Sequence, residues 1–186
     1  MQASLAKERQ RNGRIKLLAL LALFVIPVIA AKVILYMNWY EGGATNKGTL
    51  IEPRFTFEQA GLSNPIPESW QLVFIVPEVC DSVCEERWYL LNQSKIALGA
   101  YSERVEVALY VSTSSDAKWV EALEIEHKVL VLPEQELPIA DQDYLLVDPL
   151  GQWVIRYPEV DSEQAVSQSK GLISDVRKIL KLSRVG

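Results

Sequence analysis

The feature that most constrains this chain is an apolar segment near its N-terminus. Residues 17–31 form fifteen consecutive positions without a charge, and after Lys32 the apolar run continues to Met37. A helix of about 20 residues crosses the hydrocarbon core of a bilayer. Lys32 lies near the end of the run, where its long side chain can extend to the headgroups. The sequence therefore predicts a transmembrane helix over residues 17–37.

The charges in front of this segment predict its orientation. Residues 1–16 contain one acidic residue, Glu8, and five basic ones: Lys7, Arg9, Arg11, Arg14 and Lys16. The positive-inside rule places such a flank in the cytoplasm, so the C-terminal domain is expected on the periplasmic side of an inner membrane. The alternative is a cleavable signal peptide with a small-residue site at residues 28–30. An uncleaved anchor is favoured because the apolar run continues past that site.

The formal net charge of −5 hides two opposite parts. Residues 1–37 hold six Lys/Arg and one Asp/Glu, a charge of +5, whereas the remaining 149 residues hold 13 and 23, a charge of −10. An acidic exported domain is not expected to bind nucleic acid. It would favour basic partners or cations, or its acidity would serve only to keep it soluble.

The exported part has the pattern of one α/β domain. Residues 38–66 are predicted as a juxtamembrane linker with short edge strands at 49–51 and 55–57, and residues 67–186 as the domain proper. Buried strands, a hairpin around the turn 148–151 and amphipathic helices alternate along it. The strands are expected at 70–76, 105–111, 128–132, 144–147 and 153–157, and the helices at 81–98, from 115 or 116 to 127, and at 162–182. This order implies a central mixed sheet flanked by helices.

Cys80 and Cys84 are the strongest chemical feature of the sequence. They lie where a buried strand gives way to a helix, and backbone N–H groups at a helix N-terminus stabilise a thiolate. On a regular helix the two positions share one face, with Cβ atoms about 5–6 Å apart. A disulfide needs a closer approach and hence a distorted first turn. The spacing leaves open a redox pair, a site for Cu(I) or another thiophilic metal, a structural disulfide, or no role.

The surrounding charges oppose thiolate formation. Four acidic residues crowd the cysteines, and Arg87 is the nearby cation. Negative charges raise the pKa of a neighbouring thiol. We therefore expect less acidic thiols here than in a strongly oxidising dithiol enzyme. The acidic residues are Glu78, Asp81, Glu85 and Glu86.

Over roughly residues 48–182 the chain resembles the Sco/SenC proteins, membrane-anchored thioredoxin-like factors of cytochrome oxidase assembly. The resemblance rests on the N-terminal anchor, on the strand Leu72–Val76 leading into Cys80-x-x-Val83-Cys84, and on the hairpin at 146–151. The layout, including residues 38–43, is more similar still to bacterial transmembrane cytochrome oxidase-associated proteins. The resemblance implies a thioredoxin-like fold behind one transmembrane helix. It also implies cytochrome c oxidase subunits or copper-assembly factors as partners.

The chain departs from the Sco pattern at the copper ligands. Asp81 and Glu85 stand where that pattern has a proline after each cysteine, and residues 139–143 hold no histidine. The single histidine, His127, is expected at the surface rather than as a ligand. Copper at Cys80 and Cys84 would therefore need a third ligand from a partner.

Three functions follow from the sequence. The first is a membrane-anchored factor that performs thiol–disulfide exchange in cytochrome c oxidase assembly, with Cys80 as the nucleophile and Cys84 as the resolving thiol. The second is a Cu(I) carrier that uses the same two residues. The third is a non-catalytic interaction subunit on a thioredoxin-like scaffold. Hydrolase or nucleotide-dependent activity is not expected, because the chain lacks a P-loop and a plausible serine–histidine pair.

Overall fold

In a computed structural model, the described residues are 2–37, 45–123 and 127–185, and the chain divides into two units, Met1–Ala44 and Thr45–Gly186. The first unit contains helix α1 (Gln2–Tyr36). Its segment Arg14–Ile34 is long and apolar enough to cross a membrane, with a mean hydropathy of 2.8 and no buried residues. Helix α1 thus begins earlier than the predicted span and includes most of the basic segment. The predicted linker residues 38–44 lie outside the described residues.

The second unit is built on a six-stranded sheet, as predicted for a mixed sheet. Its strand order is β1–β6–β5–β2–β3–β4. Strands β2, β3 and β4 are parallel, whereas β5 is antiparallel to β2, and β6 is antiparallel to both β5 and β1. The strands are β1 (Thr49–Thr56), β2 (Trp70–Ile75), β3 (Val105–Val111), β4 (Lys128–Val131), β5 (Tyr144–Val147) and β6 (Gln152–Tyr157).

Strand β2 lies in the middle of the sheet because its side chains are apolar on both faces. All six of its residues are buried. Leu72 and Phe74 belong to the apolar cluster that includes residues of the helices, whereas Val73 and Ile75 belong to a second cluster on the opposite face. The continuous hydrophobic run that predicted a central strand therefore fills two cores at once.

Helices cover the first of these clusters. They are α2 (Ser82–Ala97), a 3₁₀ helix (Gly99–Arg104), α3 (Ala117–Leu123) and α4 (Ser162–Leu182). Helix α2 ends before Gly99, whose φ of +64° suits a residue without a Cβ. Helix α4 buries Leu172, Val176 and Leu180, three residues of its predicted apolar face.

One local prediction is wrong in extent. The pair of short strands expected at 49–51 and 55–57 is one strand, β1, which pairs with β6 across an irregular register between Leu50 and Phe55. Its edge position agrees with the prediction. The described part of helix α3 is Ala117–Leu123, and the predicted continuation towards His127 falls on residues 124–126, outside the described residues.

We predict that Gly48→Ala lowers the free energy of unfolding by about 1–3 kcal/mol, the usual cost of overpacking. An added Cβ would lie 2.6 Å from Cε1 of Tyr157 and closer still to Cγ2 of Ile155. The urea midpoint, followed by circular dichroism, measures the effect. Gly61→Ala is the comparison variant. Gly61 has a positive φ of 68°, so alanine is strained there, but an added Cβ would meet no neighbouring atom and the overpacking is absent. A wild-type midpoint for Gly48→Ala would contradict this packing.

Candidate functional site

Cys80 and Cys84 form a disulfide at the point where the chain passes from β2 to α2. Their Cα atoms are 5.1 Å apart, within the usual range for a disulfide. The expectation that both cysteines lie on one helical face is wrong, because α2 begins at Ser82. Asp81 has an extended conformation, with φ −85° and ψ −173°, so Cys80 lies outside the helix. The first turn of α2 can therefore stay regular while the sulfurs meet.

Asp81 caps helix α2 directly between the two cysteines. Its Oδ1 accepts hydrogen bonds from the backbone N–H groups of Val83 and Cys84, each at 3.0 Å. Such a cap satisfies N–H groups that have no partner within the helix. The cap also means that the N–H of Cys84, at the N-terminus of the helix, already donates to a carboxylate. The acidic residue that stands in the place of the Sco proline thus has a structural role here.

The two sulfurs differ in their accessibility. Cys84 is completely buried in the apolar cluster beneath α2, whereas Cys80 is only partly buried against it. Val79, immediately before Cys80, is 70% exposed. An incoming group therefore reaches Cys80 before Cys84.

A segment that follows β3 contacts the cysteine loop, which is residues 76–81 between β2 and α2. Asp116 accepts a hydrogen bond from the Cys80 N–H through Oδ2, at 3.2 Å, and its own N–H donates to the carbonyl of Pro77 at 2.9 Å. Its Oδ1 accepts from the N–H of Trp119 at 3.2 Å, as expected for a helix cap. The bonds from the N–H groups of Cys80 and Trp119 lower the pKa of the Asp116 carboxyl, the one from Cys80 most strongly. Asp116 is thus an ionised partner of the cysteine loop.

Arg87, one turn after Cys84, is buried rather than a free cation beside the motif. Its Nε and Nη2 donate to the carbonyl of Gln142 at 3.1 and 2.8 Å, and its Nη1 donates to Oε1 of Gln168 at 3.2 Å. The guanidinium carbon lies 4.4 Å from the centroid of the Tyr144 ring. Arg87 therefore fastens α2 to the loop before β5 and to α4.

The loop that Arg87 holds is also bonded to the end of β2. The N–H of Gln142, a residue with a φ of 60°, donates to the carbonyl of Ile75 at 2.8 Å. Asp143 accepts from the N–H of Ala140 at 2.7 Å and forms an ion pair with Arg156. The loop is thus held by Arg87 of α2, by Ile75 of β2 and by Arg156 of β6.

An aromatic cluster lies beside the buried cysteine. Trp88 packs edge-on against Trp119 and His127, with ring centroids 5.8 and 4.8 Å apart, and it also contacts Phe74. The expected surface position of His127 is thus only partly right, because the ring is half-buried. Trp119 likewise packs on the core through Phe74, at 6.2 Å.

The donor set at the cysteines does not match a resident copper site. Both sulfurs are bonded to each other, and residues 139–143 supply carboxylates, an amide and apolar groups rather than an imidazole. Within residues 2–37, 45–123 and 127–185, no group of three or more His, Cys, Asp or Glu side chains is placed to hold a metal. Cu(I) prefers soft ligands, so we derive no step through copper.

Sequence reasoning missed two residues of this site. The contact between Asp116 and Cys80 could have been found, because β2 and β3 are parallel neighbours and the residues that follow them meet at one edge of the sheet. The burial of Arg87 had no such signal. A single arginine among glutamates on a helix is typical of an exposed face, and only the packing of α4 against α2 encloses it.

Three solved structures are among those similar to this chain. ScoI of Arabidopsis thaliana with copper bound is 14% identical over 61% of this chain and 87% of its own, with a TM-score of 0.42. Apo Sco1 of Thermus thermophilus is 16% identical over 74% and 99%, with a TM-score of 0.46. A putative thiol:disulfide interchange protein DsbE of Chlorobium tepidum is 11% identical over 70% and 98%, with a TM-score of 0.43.

No curated protein matches the sequence significantly. A family model does match, over residues 70–183, which include all of β2 to α4 and both cysteines. The predicted thioredoxin-like fold is confirmed, and the apolar helix α1 supports a single membrane span. The chain therefore belongs to the family described as transmembrane-like, thioredoxin-like, C-terminal domain.

Proposed function

We propose that the domain performs thiol–disulfide exchange through Cys80 and Cys84 in the assembly of cytochrome c oxidase, on the periplasmic side of the membrane. The observation that carries the proposal is the unequal burial of the two bonded cysteine residues. Cys84 is fully enclosed and Cys80 is not. A reactive pair of this kind needs one sulfur within reach of the target and one that is protected from it.

The oxidised pair accepts two electrons from a target dithiol. One target thiolate attacks the sulfur of Cys80, the Cys80–Cys84 bond breaks, and Cys84 leaves as a thiolate that takes up a proton. The second target thiolate then attacks its own partner sulfur in the mixed disulfide. This releases Cys80 as a thiolate, so the target becomes a disulfide and the domain a dithiol. The reduced pair runs the same two steps in reverse on a target disulfide.

The membrane context supports the choice of target. Helix α1 would confine the domain to membrane-bound partners and raise their effective concentration. The resemblance to Sco/SenC proteins and to oxidase-associated proteins points to an oxidase subunit or a copper-assembly factor that carries a cysteine pair. The basic flank of residues 1–16 supports a cytoplasmic N-terminus.

The exchange chemistry can be tested with an aromatic disulfide such as dithiobis(nitrobenzoate) and the reduced full-length chain in detergent. We expect wild type to release two thiolates and retain no adduct, because Cys84 resolves the mixed disulfide. Cys84→Ser should retain one adduct on Cys80. The matched variant Cys80→Ser should react at about one tenth of the rate of Cys84→Ser, or more slowly still, because Cys84 is buried.

Equal reactivity of the two single-cysteine variants would contradict the assigned roles.

A second experiment seeks the partner by trapping. Cys84→Ser, expressed in membranes, should form a mixed disulfide with a cysteine-bearing oxidase subunit or copper-assembly factor. A parallel Cu(I) titration of the reduced chain separates exchange from copper carriage. Stoichiometric copper that is lost in Cys80→Ser, with no trapped partner, would replace exchange by a carrier function.

A further inference from the structure

Asp116 approaches the cysteine loop from a different part of the sheet. It lies between β3 and α3, yet its Oδ2 accepts the N–H of Cys80 and its N–H donates to Pro77, three residues earlier in the cysteine loop. Its Oδ1 is held at the same time by the N–H of Trp119 in α3. Bonds at the backbone N–H and at both carboxylate oxygens fix the position of this charge. The carboxylate is therefore a built part of the site rather than a mobile surface group.

The negative charge of Asp116 disfavours a thiolate on Cys80 after the disulfide is reduced. The pKa of Asp116 is lowered, first by the Cys80 N–H and then by the Trp119 N–H, so the carboxyl is ionised at neutral pH. A thiolate of Cys80 would share its residue with the backbone N–H that this carboxylate binds at 3.2 Å, and a like charge beside it disfavours its formation. Other acidic residues on the cysteine loop and α2 add to this field, and the neighbouring cation on α3 opposes it; they are Glu78, Asp81, Glu85 and Lys118.

We propose that Asp116 is a positioning residue that anchors the cysteine loop and lowers the fraction of Cys80 present as thiolate in the reduced chain at neutral pH. This inference rests on the proposed exchange function and adds a control to it. Attack on a target disulfide requires the Cys80 proton to leave first, to solvent or to a base on the partner. The reduced domain is therefore slow toward random disulfides and becomes reactive where a basic partner surface stabilises the thiolate.

The test follows the pH dependence of iodoacetamide alkylation of Cys80, in the full-length chain in detergent with Cys84→Ser as background. Asp116→Asn should lower the pKa of the Cys80 thiol by about half a pH unit or more, because one like charge is removed. Alkylation at pH 7 should become about threefold faster. Asp116→Glu keeps the charge and should leave the pKa near the background value.

The matched control is Asp148→Asn. Asp148 also accepts backbone N–H bonds, from Leu150 and Gln152, but it follows the end of β5 that pairs with the start of β2, away from Cys80. An unchanged thiol pKa in Asp116→Asn, or an equal change in Asp148→Asn or Asp116→Glu, would overturn the inference. Alkylation does not depend on any partner, so loss of the proposed exchange function would leave this result standing.

Discussion

Replacing Trp153 by alanine is expected to lower the free energy of unfolding by about 3–5 kcal/mol. Trp153 is completely buried on the sheet face opposite the helices. Its ring centroid lies 4.9 Å from that of Phe55, 5.9 Å from Phe57 and 6.2 Å from Tyr110, so it joins β1, β3 and β6. Removal of the indole opens a large cavity that the sheet cannot close. It also removes the three aromatic contacts of Trp153.

Urea unfolding followed by circular dichroism at 222 nm measures this loss without relying on tryptophan fluorescence. Trp153→Phe should cost far less, because no hydrogen bond is lost: the indole N–H has no partner within the described residues. Tyr89→Ala serves as the control, since Tyr89 is 60% exposed on α2 and should change the free energy by less than about 0.5 kcal/mol. Equal midpoints for Trp153→Ala and Tyr89→Ala would contradict the packing of the second cluster.

Arg87→Ala is expected to cost about 3 kcal/mol of folding free energy and to loosen the loop beside the disulfide. The change removes three hydrogen bonds from a charged donor and leaves the partly buried carbonyl of Gln142 without its two N–H partners. It also removes the cation above the Tyr144 ring, at 4.4 Å. Arg87→Lys keeps the charge but not the planar fork, so an intermediate loss is expected.

Hydrogen exchange locates the second effect of the Arg87 substitution. The Gln142 amide, which donates to Ile75 at 2.8 Å, should exchange about tenfold faster in Arg87→Ala, because a local opening becomes easier. Amides in β3, such as that of Leu109, should exchange faster only by the factor that the global loss of stability sets. If Gln142 and Leu109 change by the same factor, Arg87 stabilises the domain as a whole and does not specifically hold the loop.

The central strands were predictable because they are specified locally. A run such as residues 70–76 is apolar at every position except Gln71, and only a strand covered on both faces satisfies it. Helix α2 was predictable from the same kind of local pattern, an apolar face that ends at a glycine. The continuity of β1 was not predictable, because Pro53 and two charged neighbours interrupt its pattern, and the pairing partner β6 lies a hundred residues away.

The site itself was half predictable. The position of a cysteine pair at a strand–helix junction follows from the sequence, but the bonding of Cys80 outside the helix depends on the backbone of one residue, Asp81. Asp116, which accepts the N–H of Cys80, comes from another part of the chain, after β3, and Arg87 of α2 is buried by its bonds to Gln142 and to Gln168 of α4. Contacts between distant segments arise from topology, which periodicity alone does not determine.

The antiparallel pairing of β1 with β6 also has a consequence for biosynthesis. Strand β1 is the first part of the domain to be made, and β6 is the last strand, so β1 must wait while about 100 residues are added. At ribosomal rates this interval is about 5–20 s. The segment just before β1 is secured only later, when Asp175 of α4 accepts the N–H groups of Lys47 and Gly48 at 2.6 and 3.1 Å. Before it pairs with β6, strand β1 is a poor template for association with other chains, because it contains Glu52, Pro53 and Arg54.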